Sequence, residues 1–261
     1  MQRVRPRGSG TGMAKRRAGA AKNRRRRGRD RPVFRAVLAP VRFALRWGLR
    51  LGLVVAIVAT CVIVAHRALN PPKTIYMRQE EARLGRIDHV WVPIEGVAPV
   101  MARSVVAAED ANFCTHWGFD MAAIRSAIED GSGRGASTIS QQVVKNVYLW
   151  HGRSWLRKAL EALITPVVEL TWSKRRILEV YLNIAEFDEG VFGVEAAAQH
   201  YFGVPASKLS GTQAARLAAV LPAPQDRSAA RPSGSLQKRA AAIMDGAATI
   251  RRDGRAACFE D

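Results

Sequence analysis

The sequence predicts a mostly α-helical domain preceded by one transmembrane helix. Three observations predict this fold class. An uncharged apolar run, LGLVVAIVATCVIVA, occupies residues 51–65, apolar residues recur at helical spacing through most of the chain that follows, and β-type alternation is confined to about 89–92. With 261 residues, 48% of them hydrophobic, the chain is long enough for one sizeable domain plus accessory segments.

The first element is a basic tail. Residues 1–50 contain 17 of the 41 Lys and Arg residues but only one of the 22 acidic residues, Asp30. Residues 8–30 have almost no apolar side chains to bury, so we expect residues 1–42 to form a disordered cytoplasmic tail against anionic lipid headgroups. Nucleic-acid binding is the less favoured interpretation, because aromatic residues do not interleave with the arginines.

The second element is a membrane anchor, predicted over residues 43–67. Reading back from the apolar run to Trp47 gives a length that crosses a bilayer if Arg50 extends its charge towards the headgroups. The basic block before the anchor places the N-terminus in the cytoplasm and the rest of the chain outside. No small-residue cleavage site follows Ala65, which favours an uncleaved signal anchor.

The main domain is predicted over residues 68–255 and consists of helices with short breaks. Pro99 suits the first turn of a helix that runs to Glu109. Ser137 or Thr138 can cap a second helix, and Ser173 can cap a third that extends over residues 174–187. A further helix at 212–220 ends before a proline.

Glu109 is the first residue that could carry chemistry. It follows an apolar helical run and precedes an aromatic stretch, so burial should raise its pKa towards the range of a general base. An exposed acidic pair with Asp110 at a helix end is the commoner explanation for such a dipeptide. A structural role is likewise the commoner explanation for His116.

A glycine-rich turn, residues 131–135, precedes the capped helix and contains Arg134. Backbone amides at such a helix start bind anions, so the turn could hold a phosphate, although a surface turn would look the same. Gln142 and Lys145 follow on one face of the helix and could reach the same ligand.

A second glutamate, Glu161, follows Arg157 by four residues and Lys158 by three, which places both cations beside it on one helical face. A surface salt bridge has the same pattern. Together with Glu109 and Lys145, however, the pattern predicts two acids facing each other across a groove whose cations hold a leaving diphosphate.

The cysteines leave one question open. Cys61 lies in the anchor, whereas Cys114 and Cys258 would reach an oxidising compartment, where either a disulfide or two unpaired thiols is compatible with the sequence. The five histidines are too scattered for zinc spacing.

From about Asn70 to Pro232 the chain resembles the peptidoglycan glycosyltransferases of glycosyltransferase family 51, in particular the monofunctional transglycosylases of bacterial inner membranes. Five blocks carry the resemblance in the family's order: EDANFCTHWGFD at 109–120, GASTISQQVVKN at 135–146, RKALE at 157–161, KRRILEVYLNIAEFDEGVFGVEAAAQHYFG at 174–203 and LAAVLPAPQDRSAARP at 217–232. Two departures are Ala136, in place of a glycine, and Phe187-Asp188-Glu189, in place of a glycine-rich turn.

The resemblance implies a lysozyme-like, two-lobed helical domain whose smaller lobe dips into the membrane. It also implies that Glu109 and Glu161 are the catalytic pair, with Glu109 as general base. The implied substrate-binding residues are Asp110, Phe113, His116, Ser137, Thr138, Gln142, Lys145, Asn146, Arg157 and Lys158.

The implied reaction polymerises lipid II into glycan strands, with inversion at the anomeric carbon and release of undecaprenyl diphosphate. A divalent metal, Mg or Mn, on the diphosphate is the one implied cofactor, and its protein ligands are unknown. The implied location is the bacterial inner membrane, with one span and a periplasmic catalytic domain. Cell-division or elongation proteins are the implied partners, besides lipid II and the lipid-linked glycan, and nucleic acid is not among them.

Three alternatives remain at the level of sequence. A muramidase also uses paired carboxylates on a lysozyme-like fold, but it gains nothing from diphosphate-binding cations. A transpeptidase is suggested by Ser235-Leu236-Gln237-Lys238, yet the chain after Lys238 is too short for that domain and lacks Lys-Thr-Gly. A membrane scaffold or nucleic-acid tether would need the arginine-rich tail for its function.

Overall fold

The computed structural model describes residues 31–129, 131, 137–152 and 154–260, with side chains from residue 40 onward. The chain divides into two units, and the boundary in sequence lies between Ala59 and Thr60. Residues 1–30, most of the predicted tail, lie outside the described residues, whereas residues 31–42 belong to the first helix.

Helix α1, Arg31–Ala65, contains the predicted anchor. Its segment Pro40–Ala65 is 26 residues long with a mean hydropathy of 2.4, and its side chains are almost all exposed, so it is a candidate membrane span by length and composition. The last turn of α1 lies in the second unit, where Trp172 Nε1 donates to the carbonyl of Ile63 at 2.8 Å.

The second unit consists mainly of helices. Their bounds are α2 Ile75–Leu84, α3 Pro99–Glu109, α4 Met121–Glu129, α5 Ile139–Tyr148, α6 Trp155–Thr171, α7 Lys174–Ile184, α8 Val194–Phe202, α9 Gly211–Val220, α10 Gly234–Arg252 and α11 Ala257–Glu260. Short 3₁₀ turns lie at Ile94–Gly96, Ala206–Lys208 and Pro224–Asp226. The mostly α-helical fold class is therefore confirmed.

Two groups of helices supply the core. Helices α3, α9 and α10 pack on one another, and α5 packs against both α6 and α7. The buried side chains include Met101 on α3, Val143 on α5 and Leu217 on α9, each without exposed surface. Burial of this apolar area is the main favourable contribution to folding.

Side-chain caps fix where the helices begin. Thr138 is the N-cap of α5 and forms a capping box with Gln141, and Ser173 is the N-cap of α7, as the sequence predicts. Pro99 occupies the first turn of α3, where a missing N–H costs nothing. By fixing where α3, α5 and α7 begin, these residues determine which side chains of the helices face the site.

Three short strands form a small sheet, which is larger than the sequence predicts. Strand β3, Val191–Phe192, pairs in parallel with β1, Asp88–His89, and antiparallel with β2, Glu186–Asp188. The helix predicted to reach residue 187 therefore ends at Ile184. Its apolar pattern continues into β2 because Phe187, which is fully buried, would suit either element.

A disulfide joins Cys114 to Cys258, with the two Cα atoms 5.7 Å apart. It answers the question that the sequence left open. The bond connects the segment after α3 to α11, which lies beyond residue 255, the predicted end of the domain. Cys61 in α1 is unpaired and exposed.

Candidate active site

Glu109 is the last residue of α3, and the buried face of that helix fixes its position. Its side chain is 14% exposed and accepts a hydrogen bond from Gln142 Nε2 at 3.1 Å. Burial raises the pKa of the Glu109 carboxyl, as the sequence predicts, and this effect outweighs the opposing influence of Gln142, Arg239 and Lys145. A carboxyl whose pKa is raised in this way is suited to accept a proton.

A cavity of ≈ 530 Å³ opens beside Glu109. Four of the predicted site residues contribute to its wall, which consists of Ala108, Glu109, Ser137, Gln142, Lys145, Pro222 and Arg239. The wall residues run from Ala108 to Arg239 in sequence, so the tertiary arrangement of α3, α5 and α10 creates the cavity.

Arg239, on α10, is a residue of the Glu109 cavity that sequence reasoning missed. Its guanidinium Nη2 lies 3.9 Å from Glu109 Oε1, and its side chain is 40% exposed. The sequence signal was a basic pair, Lys238-Arg239, on a helix, which is indistinguishable from an ordinary solvated face.

Gln142 is held between Glu109 and the core. Its Oε1 accepts a hydrogen bond from the hydroxyl of Tyr181, 3.4 Å away, while its Nε2 donates to Glu109. Tyr181 lies on α7 and is 2% exposed, so the position of Gln142 is determined from the interior. The predicted common face of Gln142 and Lys145 is confirmed, since both line the cavity.

Lys145 lies within the electrostatic reach of both glutamates. Burial lowers the pKa of its ammonium group, and the neighbouring Arg157 and Lys158 lower it further. Glu161 and Glu109 act in the opposite direction and favour the charged form. Lys145 thus lines the Glu109 cavity and also interacts electrostatically with the second glutamate, Glu161.

Glu161 differs from the expected arrangement. Its side chain is 3% exposed, and Arg157 Nη1 donates to its Oε2 at 2.7 Å while Lys158 Nζ contacts its Oε1. The sequence predicts two acids facing each other across a groove, but in the structure Glu161 is buried against Arg157 and Lys158 and does not line the Glu109 cavity. Its buried charge is paired and hydrogen-bonded, as burial of a carboxylate requires.

The cations beside Glu161 open onto a separate cavity of ≈ 320 Å³. It is lined by Ser154, Trp155, Arg157 and Lys158. Ser154 caps α6, which fixes the first turn of the helix that presents both cations. Trp155 is 93% exposed, so this cavity combines a cationic wall with an apolar rim.

A third cavity of ≈ 190 Å³ shares Gln142 and Lys145 with the first. Asn146 and His151 also line it, and the atoms Asn146 Oδ1 and His151 Nδ1 are buried there without a hydrogen-bond partner. Burial lowers the pKa of His151 to about 4, so the ring is neutral near pH 7. Buried polar atoms without partners are rare in proteins and mark places where a ligand or water can bind.

Asp110 and His116 act inside the fold. Asp110 accepts hydrogen bonds from the backbone N–H of Ile139 at 3.0 Å and from His116 Nε2 at 2.8 Å, and its side chain is 1% exposed. Because Gly118 N donates to His116 Nδ1 at 3.1 Å, the neutral ring carries its proton on Nε2. Both residues thus connect the segment after α3 to the start of α5.

Phe113 and Thr138 also turn inward, although Thr138 and Asp110 line a cavity of ≈ 270 Å³ together with Glu109, so substrate binding by these residues stays a prediction. Phe113 is 1% exposed, and Lys174 Nζ lies 4.5 Å from the centroid of its ring. Thr138 donates to the carbonyl of Gly118 at 2.7 Å and caps α5. The predicted anion-binding turn, apart from Gly131, lies outside the described residues.

The described part of the chain, 31–129, 131, 137–152 and 154–260, contains no group of three or more His, Cys, Asp or Glu that could hold a metal ion. The groups around Glu161 are cations, which repel a metal ion. The protein donors among the described residues therefore do not fit a resident metal site.

The chain is similar to a known protein family over most of its length. A family model described as Transglycosylase matches residues 78–248. A biosynthetic peptidoglycan transglycosylase of Jannaschia sp. is 67% identical over 197 residues, which cover 76% of this chain and 82% of that protein. Proteins of the same description from Caulobacter vibrioides and Rhodospirillum centenum are 45% and 47% identical, covering 75% and 79% of this chain and 87% and 91% of theirs.

The predicted family is thus confirmed, and with it the lysozyme-like helical domain and the enzymatic class. The glycosyltransferase, peptidoglycan-synthesis and membrane-anchor predictions follow from the same matches together with the apolar helix α1. This chain belongs to the transglycosylase family, the enzymes that polymerise the glycan strands of peptidoglycan.

Proposed function

We propose that the chain polymerises lipid II with Glu109 as the general base. The observation that supports this role is the position of its carboxyl, buried at the end of α3 and raised in pKa, on the wall of a cavity that also contains Lys145 and Arg239. A base needs a pKa raised towards the working pH together with access to the proton it removes. Burial shifts the pKa of Glu109 in that direction, and its carboxyl lies on the cavity wall.

In the proposed step, Glu109 removes the proton from the 4-hydroxyl of the lipid II acceptor. The oxygen attacks the anomeric carbon of the lipid-linked donor from the face opposite the diphosphate, so the configuration inverts. The bond between the anomeric carbon and the diphosphate oxygen breaks, and undecaprenyl diphosphate leaves with the electron pair. One base and one stabilised leaving group are sufficient for this displacement.

Lys145, Arg157 and Lys158 are the proposed stabilisers of the leaving diphosphate. Arg157 and Lys158 line a cavity next to the buried Glu161, and Lys145 experiences the fields of both glutamates. Glu161 is paired with Arg157 and Lys158, so we assign it the role of holding these two cations in place. Preorganised charges of this kind are typically worth about 10²–10³ in kcat.

The proposed sugar subsite is the third cavity. Asn146 Oδ1 is an acceptor without a donor, and the unpartnered Nδ1 of the neutral His151 can donate or accept. Hydroxyl and acetamido groups of a sugar supply both kinds of partner. Ser137, exposed on the wall of the Glu109 cavity, is proposed to contact the same substrate.

For the location we propose that α1 anchors the enzyme in the inner membrane, with a cytoplasmic N-terminus and a periplasmic domain. The charge asymmetry around the apolar helix supports this orientation. An anchored enzyme meets lipid-linked substrates in two dimensions, which lowers the entropic cost of their encounter. Division or elongation proteins as partners stay a prediction.

A divalent ion on the diphosphate is a separate proposal. Mg²⁺ or Mn²⁺ would be held by phosphate oxygens, since Mg²⁺ commonly binds through substrate phosphates. Polymerisation with and without chelator tests it, and activity unchanged by chelator contradicts it.

The test of the base is Glu109→Gln in an assay of lipid II polymerisation with purified enzyme. We expect kcat to fall by about 10²–10⁴, because a general base contributes that factor. Glu129→Gln, an exposed carboxylate at the end of α4, is the matched control and should retain full activity. Polymerisation by Glu109→Gln close to that of the unmodified enzyme would refute the role, and digestion of isolated cell walls would indicate the muramidase alternative.

A further inference from the structure

The C-terminal residues 253–260, here called the C-terminal clasp, lie beyond residue 248, where the family match ends. They nevertheless attach to the segment that directly follows Glu109. Cys258 forms the disulfide with Cys114, and Arg255 Nη1 donates to the carbonyl of Ala111 at 3.0 Å. Phe259 is 1% exposed and packs 6.4 Å, centroid to centroid, from Phe113.

Two further contacts fasten the clasp to the helices of the site. Glu260 Oε1 accepts from Arg103 Nη1 on α3 at 2.5 Å, and the carbonyl of Phe259 accepts from Arg175 Nη1 on α7 at 2.9 Å. The Arg103 and Glu260 side chains are 12% and 26% exposed. The clasp therefore contacts the helix that carries Glu109 and the helix that supports Gln142.

The segment 110–116 links the clasp to Glu109 through hydrogen bonds. Phe113 N donates to the carbonyl of Asp110 at 3.0 Å, and the Asp110 carboxylate holds Ile139 N at the start of α5. Gln142, one turn into α5, donates to Glu109. A movement of residues 111–114 would thus shift both the backbone next to Glu109 and its hydrogen-bond donor.

We propose that the C-terminal clasp positions the base. Cys258, Arg255 and Phe259 are positioning residues that hold segment 110–116 in place and thereby maintain the hydrogen bond between Gln142 and Glu109. The proposal depends on the role of Glu109 as base. It differs from simple stabilisation because it predicts an effect on the chemical step in molecules that remain folded.

Release of the clasp has a defined consequence for the environment of Glu109. The charged and titratable groups that face its carboxyl are Asp110, Lys145 on α5, Tyr181 on α7 and Arg239 on α10. Loosening segment 110–116 admits water to the carboxyl without removing any of these groups. Because desolvation is the main reason for the raised pKa of Glu109, hydration moves the acid limb of the kcat profile to lower pH.

The experiment compares the enzyme before and after reduction with a water-soluble phosphine. The phosphine and one water molecule convert the disulfide into two thiols, and the phosphine is oxidised to the phosphine oxide. We measure kcat, KM and the pH profile for lipid II, and hydrogen exchange of residues 110–116. We expect kcat to fall about tenfold with a smaller change in KM, the acid limb to move down, and exchange to increase. Cys258→Ser should behave in the same way without reductant and should not respond to it.

Cys61→Ser is the matched control, because Cys61 is exposed and unpaired in α1 and its loss should leave activity and the response to reductant unchanged. Circular dichroism tests whether the reduced enzyme remains folded. Unchanged kcat, pH profile and exchange after complete reduction would overturn the proposal, and so would global unfolding, which would make the disulfide a general stabiliser. Hydrogen exchange at 110–116 does not depend on which residue is the base, whereas Glu109→Gln tests the base directly. Failure of the clasp proposal can therefore be distinguished from failure of the proposed role of Glu109.

Discussion

Substitution of Asp110 separates a positioning role from substrate binding. Its carboxylate accepts from two donors, the Ile139 N–H and His116 Nε2–H, and its side chain is 1% exposed. In Asp110→Asn a single carbonyl oxygen remains, and the amide NH₂ meets one of the two donors. The His116 ring cannot adapt by changing tautomer, because its Nδ1 already accepts from Gly118 N.

One buried donor without an acceptor costs about 1–3 kcal/mol, and Asp110→Ala, which leaves two, should cost about twice as much. In a domain of this size each kcal/mol lowers the Tm by about 2–4 °C, so Asp110→Asn should lower it by about 2–12 °C. Because α5 starts at this contact, kcat should fall as well, while KM for lipid II changes little.

Thermal unfolding followed by circular dichroism measures the stability, and lipid II polymerisation measures kcat and KM. Asp226→Asn, at an exposed carboxylate, is the matched control and should have the unmodified Tm. An unchanged Tm for Asp110→Asn together with a strongly raised KM would refute the positioning role and support the substrate-binding interpretation made from the sequence.

Three further outcomes are expected. Arg239→Gln removes a cation whose field lowers the pKa of Glu109, so the acid limb of the kcat/KM profile should move to higher pH, whereas the neighbouring Lys238→Gln leaves it in place. Thr138→Ala deletes the N-cap of α5 and should cost about 0.5–2 kcal/mol in denaturant unfolding, and Thr138→Ser, which keeps the hydroxyl, should cost less. Gly193→Ala should cost about 1–3 kcal/mol or more, because φ is +83° and the new Cβ would lie 2.9 Å from a carbonyl oxygen; a Tm equal to the unmodified value would contradict this.

Sequence patterns were sufficient where a signal is local. The caps Thr138 and Ser173, and the start of α3 at Pro99, were predicted because each depends on residues within one turn of helix. The burial of Glu109 followed from the apolar run before it. The end of α7 was missed, because an apolar pattern that continues from a helix into a buried strand contains no break.

The sequence by itself determined the helical class, the candidate anchor and the family, since ordered blocks and apolar periodicity are properties of the linear chain. Only the tertiary structure decided that Arg239 reaches Glu109, that Cys114 pairs with Cys258 and that Glu161 is buried beneath its cations. Each of these depends on which helix faces overlap after packing. Which faces come together is determined by side-chain packing between whole helix surfaces, and it cannot be read from residue spacing within one segment.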